Sequence, residues 1–436
     1  FLQSSKVGDY FVNFAFAAAG RSRGGPAKVS IFASGLMGMI NGTSAGNVVS
    51  TGSLTIPLMK KVGYSKQSAG AVEAAASTGG QIMPPIMGAG AFIMAEITGM
   101  PYTEIAIAAI IPAILYFASV YFMVDFEAAK TGMRGMREDE LPKLKTMMKQ
   151  CYLFVPIIIL IVALFMGYSV IRAGTLATVS AAVVSWLSPN KMGLRQILQA
   201  LEIASYMAIQ IIVVCAAAGV IVGVISLTGV GARFSVLLLD VAATSQLLAL
   251  IFAMFISILL GMGMPTTAAY AVAASVVAPG LVQLGIEPLT AHFFVFYFAV
   301  VSAITPPVAL ASYAAAGISG ANAMETSVAS FRIGIAAFIV PFMFFYNSAL
   351  LMDAGWFEIA RALVTATFGV YMLSGGVLGW FARVSASWVT RVLLIAAALL
   401  MIEGGLWTDL TGIALAVLAF VIQKQRKARL ATAGVV

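Results

Sequence analysis

Side chains able to hold a small ion or an anion gather at four places where long apolar runs of this sequence are interrupted. The first holds Asn41, Gly42, Thr43, Ser44 and, three residues on, Asn47. The second holds Ser77, Thr78, Gly79, Gly80 and Gln81 and ends at Pro84-Pro85. The third holds Gly263, Pro265, Thr266 and Thr267, and the fourth runs from Ser302 through Thr305 to Pro306-Pro307. A helix broken at such a point offers unpaired carbonyls to cations at one half-helix end and N–H groups to anions at the other. Hydroxyl and carbonyl oxygens without a carboxylate suit a loosely held Na+, and Thr43, Ser44, Gly79, Thr266, Thr267 and Ser302 are its expected ligands. Unpaired backbone is costly in lipid unless it is buried in protein or lines a cavity. A lone Gly or Pro kink is ordinary helix architecture. Four breaks in a repeated order, each with hydroxyls, read as a substrate- and ion-binding region near the membrane midplane.

Few ionisable groups accompany these breaks. Glu73 lies two turns before Gly79-Gly80, about 9 Å along a helix. A carboxylate inside a membrane is a functional candidate by default, and Glu73 is the expected proton carrier if coupling runs on protons. The competing expectation sets Glu73 near the cytoplasmic surface, paired with Lys66 or a similar residue. Asp125 and Glu202 read as interfacial, as does the single histidine, His292. No Lys or Arg falls at an expected midplane, so a substrate carboxylate would meet half-helix N-termini and hydroxyls. The two cysteines, Cys151 and Cys215, lie in or beside apolar segments and support no disulfide framework. No Gly-x-x-x-x-Gly-Lys-Ser/Thr phosphate loop occurs, and the glycines from Gly223 to Gly231 have no βαβ context. Neither an enzyme activity nor an organic cofactor is expected.

The elements that would position these residues follow from composition. Of 436 residues 61% are apolar and only 10% charged, against about a quarter charged in soluble domains. One soluble core cannot hide that much apolar surface, because core growth stops at about 250–300 residues. A spanning helix needs about 20 apolar residues, and the ten-residue alternation of barrel strands is absent. The chain therefore reads as an all-α polytopic membrane protein. Residues 1–28 are expected as a basic arm along the interface. Residues 29–96 form a first interrupted hairpin and a first broken helix, and residues 101–228 connecting and scaffold helices, with spans at about 151–170 and 173–188 among them. Residues 244–318 form a second hairpin and broken helix, 327–350 a further scaffold helix, and 351–436 extra C-terminal helices with a basic tail.

If both interrupted stretches enter and leave on one side, the basic residues sort. Lys6, Arg21, Arg23, Lys28, Lys60, Lys61, the lysines and arginines of 126–150, and the tail Lys424, Arg426, Lys427 and Arg429 fall on one side. With Lys66, Lys191, Arg195, Arg332, Arg383 and Arg391 that side holds 22 of the 25 basic residues, leaving Arg172, Arg233 and Arg361 opposite. The positive-inside rule assigns the rich side, and the C-terminus, to the cytoplasm. The net charge of +8 is thus explained by topology rather than by nucleic acid. The hairpins then face opposite sides. Ser44 to Pro84 and Thr266 to Pro306 are each 40 residues, the signature of an inverted repeat with two re-entrant hairpins and two discontinuous helices. Re-entrant hairpins also occur in channels, so a channel or a non-transporting scaffold remains the alternative of another class.

The segments Gly42-Thr43-Ser44-Ala45-Gly46-Asn47 through Thr55-Ile56-Pro57, Gly79-Gly80-Gln81-Ile82-Met83-Pro84-Pro85 and Gly261-Met262-Gly263-Met264-Pro265-Thr266-Thr267 resemble the large membrane subunit of tripartite ATP-independent periplasmic (TRAP) transporters. The run Gly70 to Gln81 resembles the TAXI branch, often a fused permease. Resemblance covers roughly residues 20–350, and 351–436 is similar to the extra helices of some fused members. Tyr346-Asn347-Ser348 departs from an expected Asn-Pro. The resemblance implies an elevator-type importer in the inner membrane, with hairpins and broken helices as a moving transport domain. It further implies a separate extracytoplasmic binding protein, a small membrane subunit or its fused equivalent, an organic acid as substrate and an ion gradient, usually Na+, as driving force. The chain starts at Phe1 and is expected to be a piece of a longer protein, with the first helices of the family upstream.

Overall fold

A computed structural model describes residues 1–432 apart from Gln3, Met39, Ile40, Pro189, Asn190 and Glu403; described side chains end at Ala428, so Arg429 of the basic tail lies outside them. The chain is helical almost throughout. In order come α1 (Val7–Ala19), α2 (Gly25–Gly38), α3 (Ser44–Lys61), α4 (Lys66–Gly79), α5 (Gly90–Thr98), α6 (Tyr102–Ala108) and α7 (Ile110–Thr131). Then come α8 (Leu144–Lys149), α9 (Val155–Phe165), α10 (Val170–Ser185), α11 (Leu194–Thr228) and α12 (Val230–Thr244). The second half continues with α13 (Gln246–Gly261), α14 (Thr266–Val276), α15 (Ala278–Gln283), α16 (Pro288–Val301), α17 (Leu310–Ser319), α18 (Ala323–Gly334) and α19 (Val340–Tyr346). Helices α20 (Trp356–Leu378), α21 (Trp388–Leu400) and α22 (Leu406–Thr432) close the chain, with a two-residue strand pair, Trp380–Phe381 and Val384–Ser385, after α20. Among the described residues five helical segments are long and apolar enough to cross a membrane: Tyr102–Thr131, Leu194–Thr228, Ala323–Tyr346, Trp356–Leu378 and Leu406–Ala428.

The repeat extends well beyond the four breaks. Adding 222 to a residue number carries Ser44 to Thr266, Pro84 to Pro306 and Pro57 to Pro279. The same shift lays α1 on α12, α2 on α13, α4 on α16, α5 on α17, and the α6–α7 segment taken as one on the α18–α19 segment, each within about three residues at its start. Helix α3 falls on α14 plus α15, where Pro279, which has no N–H to donate, lies just after the division between the two short helices. Both hairpins end on a left-handed glycine, Gly63 (φ 110°) and Gly285 (φ 83°), a conformation open to glycine at little cost. The halves interlock: α17 packs on α3 and α4, while α5 packs on α14 and α16. Each second half-helix thereby covers the other repeat's hairpin.

Several boundaries differ from the sequence expectation. Residues 7–19 form a helix, α1, whose Tyr10 and Phe11 are buried against Phe154, so much of the segment read as an interfacial arm is packed inside the protein. Lys28, placed at the end of that arm, is inside α2 and only 4% exposed. Its Nζ lies 2.6 Å from Asp125 Oδ1 on α7, and Arg23 Nη2 lies 2.7 Å from Oδ2. Asp125 is therefore a bridge between the first hairpin and α7. Helix α12 occupies a stretch read as a loop; its amphipathic composition lacks the length of a span. Helix α9 has 11 residues, shorter than the span expected at about 151–170, whereas α10 has the 16 residues expected of its span and begins three residues earlier. At 1.5 Å per residue α9 reaches roughly 16 Å, about half a bilayer core.

Candidate functional site

Each of the three helices of the first unit presents a polar pair one turn apart: Ser30 and Ser34 on α2, Thr51 and Thr55 on α3, Glu73 and Ser77 on α4. All six side chains are fully buried, and the spacing of four puts each pair on one face. They converge on the Glu73 carboxylate. Oε2 accepts from Ser30 Oγ at 2.7 Å and from Thr55 Oγ1; Oε1 accepts from Ser34 Oγ at 2.8 Å, Ser77 Oγ at 3.1 Å and Thr51 Oγ1. Gly52 leaves the room: a Cβ there would stand 3.0 Å from Glu73 Cγ. Glu73 enters no ion pair among the described residues. The expected pairing with Lys66 is thus replaced by a cage of five hydroxyls, reached only once three helices are packed together.

The cage continues to the tip of the first hairpin. Asn47 Nδ2 donates to the Ser34 carbonyl at 2.9 Å and the Ser77 carbonyl at 3.4 Å, and its Oδ1 accepts from Asn41 Nδ2 at 3.3 Å. Gln81 Nε2 donates to the Asn41 carbonyl at 3.1 Å, which joins the second break to the first. Gly38 and Gly80 touch through their backbones there: a Cβ on Gly38 would lie 2.2 Å from the Gly80 Cα. Thr43 caps α3 by accepting from the Gly46 N–H at 3.1 Å. Among the described residues the buried Ser44 Oγ and Gln81 Oε1 have no hydrogen-bond partner, two oxygens available beside the breaks.

The second unit is tied together at the corresponding place, here through backbone groups alone. The Gly263 N–H donates to the Val308 carbonyl at 3.3 Å, joining the third break to the fourth, and Gly263 takes φ 73° to do so. Pro265 precedes α14, whose first residues are Thr266 and Thr267, both buried. Ser302 and Thr305 donate to their own helix carbonyls at Ala299 and Val301, as Thr78 does to Ala74, so only their lone pairs are available to a cation. Pro84 and Pro306 each open a cis Pro-Pro bond. Gly79 sits under the Tyr116 ring, where a Cβ would approach to 2.4 Å. Within each repeat the two breaks therefore meet.

Sequence reasoning singled out Glu73 and Ser77 but missed Ser30, Ser34, Thr51 and Thr55. The available signal was a polar pair at i, i+4 in each of three consecutive apolar helices. His292, read as interfacial, is half-buried, with Nδ1 2.9 Å from Tyr270 Oη.

Residues 1–359 match the DctM component of the tripartite ATP-independent periplasmic transporters. The C4-dicarboxylate TRAP transporter large permease protein DctM of Rhodobacter capsulatus is 22% identical over 343 residues, 76% of this chain and 78% of that protein. The isethionate TRAP transporter permease protein DctMQ of Oleidesulfovibrio alaskensis is 22% identical over 334 residues. That match takes in 75% of this chain but only 52% of the relative, so the chain spans about half of its length. The C4-dicarboxylate permease DctM of Pseudomonas aeruginosa is 21% identical over 322 residues, 73% of this chain and 75% of its own. With a family match over most of its length and breaks that meet within each repeat, the chain belongs to the DctM family of TRAP transporter large permeases, solute-transporting membrane proteins and not enzymes.

Proposed function

We infer that this chain is the permease of a secondary importer that moves a small organic acid across the inner membrane. An ion gradient, in the first instance Na+, drives it, and an extracytoplasmic binding protein delivers the solute. The observation that carries this reading is the doubled architecture, in which each hairpin tip is bonded to the break of its own discontinuous helix. A cation would be held by the lone pairs of Thr43, Ser44, Thr266, Thr267 and Ser302 with carbonyls near Gly79, and an anionic solute by the N-terminus of α14 and its hydroxyls. Asn41, Gly42, Asn47, Gln81 and Gly263 shape the same region. Because α17 covers α3 and α4 while α5 covers α14 and α16, the two units form one packed body, suited to travel as an elevator against α7 and the remaining helices.

C4-dicarboxylate and isethionate, named for the relatives, are both small organic anions, which supports that substrate class. The fused DctMQ relative supports a small membrane subunit as partner, on a separate chain or on this one. The basic tail and the basic loop at 126–150 support a cytoplasmic C-terminus. Proteoliposomes holding the complete complex test the reading, with radiolabelled succinate and isethionate as probes. Accumulation is expected only with the binding protein present and an inward Na+ gradient. Uptake indifferent to both overturns it.

A further inference from the structure

Glu73 exceeds what an ion site made of breaks and hydroxyls requires, and its surroundings suit one ligand above others. The five hydroxyls lie in direct hydrogen-bond contact with the carboxylate, so a metal ion would have to displace donors already engaged with its oxygens. A proton needs no volume. The hydroxyls can also serve both charge states. A carboxylate offers about four lone-pair positions to five donors, so at least one hydroxyl always has another partner. Thr51 Oγ1 is 2.9 Å from the Asn47 carbonyl and Thr55 Oγ1 is 3.0 Å from the Thr51 carbonyl, while Ser34 and Thr51 hydroxyls are 3.0 Å apart.

We propose that Glu73 is a proton-binding site, wired by its hydroxyl cage to the tip of the first hairpin, so that one proton bound there is coupled to solute passage. The proposal rests on the transporter reading and adds a proton to the ion held at the breaks. With Glu73 ionised, Ser30 and Thr55 donate to Oε2, and Ser34, Thr51 and Ser77 donate to Oε1. When a proton arrives on Oε2, that oxygen donates to Thr55 Oγ1, and Thr55 turns its own proton to the Thr51 carbonyl. Oε1, then a neutral carbonyl with two lone pairs, keeps the Ser34 and Ser77 donors, and Thr51 turns its proton to the Asn47 carbonyl. No covalent bond other than the O–H changes, and the site goes from one negative charge to neutral. Asn47 binds Asn41 and, through the Ser34 and Ser77 carbonyls, both neighbouring helices, so the switch reaches the tip where Gln81 meets Asn41.

Charged and titratable groups on the elements around α4 are engaged elsewhere. On α2 and α7, Lys28 is held by Asp125 over the Tyr121 ring, Tyr116 donates to the Ala75 carbonyl, Glu127 accepts from Ser68, and Lys130 donates to the Leu378 carbonyl. On α3, Lys60 donates to the Ser319 carbonyl and Lys61 to Glu140. On α16, α17 and α18, Tyr297 donates to the Ala337 carbonyl, His292 bonds Tyr270, Tyr313 donates to the Pro307 carbonyl, Glu325 accepts from Gln67, and Arg332 acts on Glu127. Among the described residues none of them is a hydrogen-bond or ion-pair partner of Glu73, so the hydroxyl cage alone meets its carboxylate in either charge state.

Infrared difference spectra of the complete complex in lipid, taken between acid and alkaline pH in choline chloride, read the site without any transport substrate. The expected spectrum holds a carboxylic C=O band that is lost in Glu73→Gln and moves to higher frequency in Ser34→Ala, which removes one donor from Oε1, the carbonyl oxygen of the protonated group. A Glu73→Gln spectrum identical to the wild type overturns the proposal. So does a band erased at constant pH by NaCl, which would make the site one for a cation. Should Glu73→Gln not fold, an unshifted band in Ser34→Ala is by itself sufficient to reject it. Failure here leaves the transporter reading intact, since that stands on binding-protein-dependent uptake.

Discussion

Helices α4 and α16 occupy the same place in the two repeats and have opposite chemistry. Helix α4 reads Lys-Gln-Ser-Ala-Gly-Ala-Val-Glu-Ala-Ala-Ala-Ser-Thr-Gly, small and polar; α16 reads Pro-Leu-Thr-Ala-His-Phe-Phe-Val-Phe-Tyr-Phe-Ala-Val-Val, bulky and aromatic. Every member of the Glu73 cage has an apolar mate: Ser30 faces Phe252 in the comparison, Ser34 Ile256, Thr51 Ala273, Thr55 Val277, Glu73 Val295 and Ser77 Ala299. Around α16 the space is filled instead by edge-to-face rings, Phe298 against Phe294 at 4.8 Å and Phe293 against Phe344 at 5.7 Å. Both units keep the break-to-break bond at the hairpin tip. Repetition thus preserves the backbone device that opens the helices, while the carboxylate and its hydroxyls belong to one unit alone. The second unit supplies packing, and the first carries the added chemistry.

The most damaging way to break this asymmetry is Val295→Glu. It puts a carboxylate at the mate of Glu73, where none of the five neighbours offers a hydroxyl. The expected cost is on the order of 5 kcal/mol, seen as loss of the monodisperse protein in detergent. Folding as good as the wild type would mean that the cage is not what makes Glu73 tolerable. Next in size is Gly38→Ala, because the new methyl meets the Gly80 backbone, which cannot step aside as a side chain can. We expect about 3 kcal/mol, read by thermal unfolding in detergent.

Much of the fold was legible because its signals are local. Breaks at Asn41 to Ser44 and Gly263 to Thr267 stand out as Gly and Pro in apolar runs, and the 40-residue spacing to the Pro-Pro pairs exposed the repeat. Helix α12 was not seen, since Leu237-Leu238-Leu239 and Arg233 fit either a short amphipathic helix or a loop beside a span. Its counterpart α1 was placed on the surface for the same reason: basic residues flank it, and only tertiary contact with Phe154 reveals its buried face. At the site, Glu73 was visible as an isolated carboxylate, but its partners lie 18 to 43 positions away for the four on α2 and α3. Serines and threonines inside helices usually bond their own preceding turn, so Ser30 or Thr55 alone carries no signal.

A gentler exchange compares one hydroxyl in the two settings. Thr55→Val removes a donor from the Glu73 carboxylate with little change of shape, for an expected loss of about 1–3 kcal/mol. The reverse change, Val277→Thr, adds a hydroxyl that can bond the Ala273 carbonyl one turn earlier, so its cost stays under about 1 kcal/mol. Chemical denaturation of both variants, and of Thr55→Val combined with Glu73→Gln, separates the terms. The double variant is expected to lose less than the two single losses added together. Strict additivity would mean that Thr55 and Glu73 do not act on each other.

The smallest effect is expected where the repeats differ at the surface. Lys61 at the end of α3 lies 2.6 Å from Glu140, whereas its mate on α15 is Gln283. The hydrogen bond from Lys61 holds the exposed Glu140 carboxyl below the ordinary range. A carboxyl lowered in this way stabilises the fold above its unfolded-state pKa, and that contribution is lost as pH falls through the lower folded value. Side chains this exposed are screened by water and salt, so Glu140→Gln should leave the melting temperature almost unchanged at neutral pH. Any small difference should vanish in strong acid and in high salt. A large, salt-resistant loss would show that charge at the end of the first hairpin matters structurally, and the distinction between the units would then extend beyond the Glu73 cage.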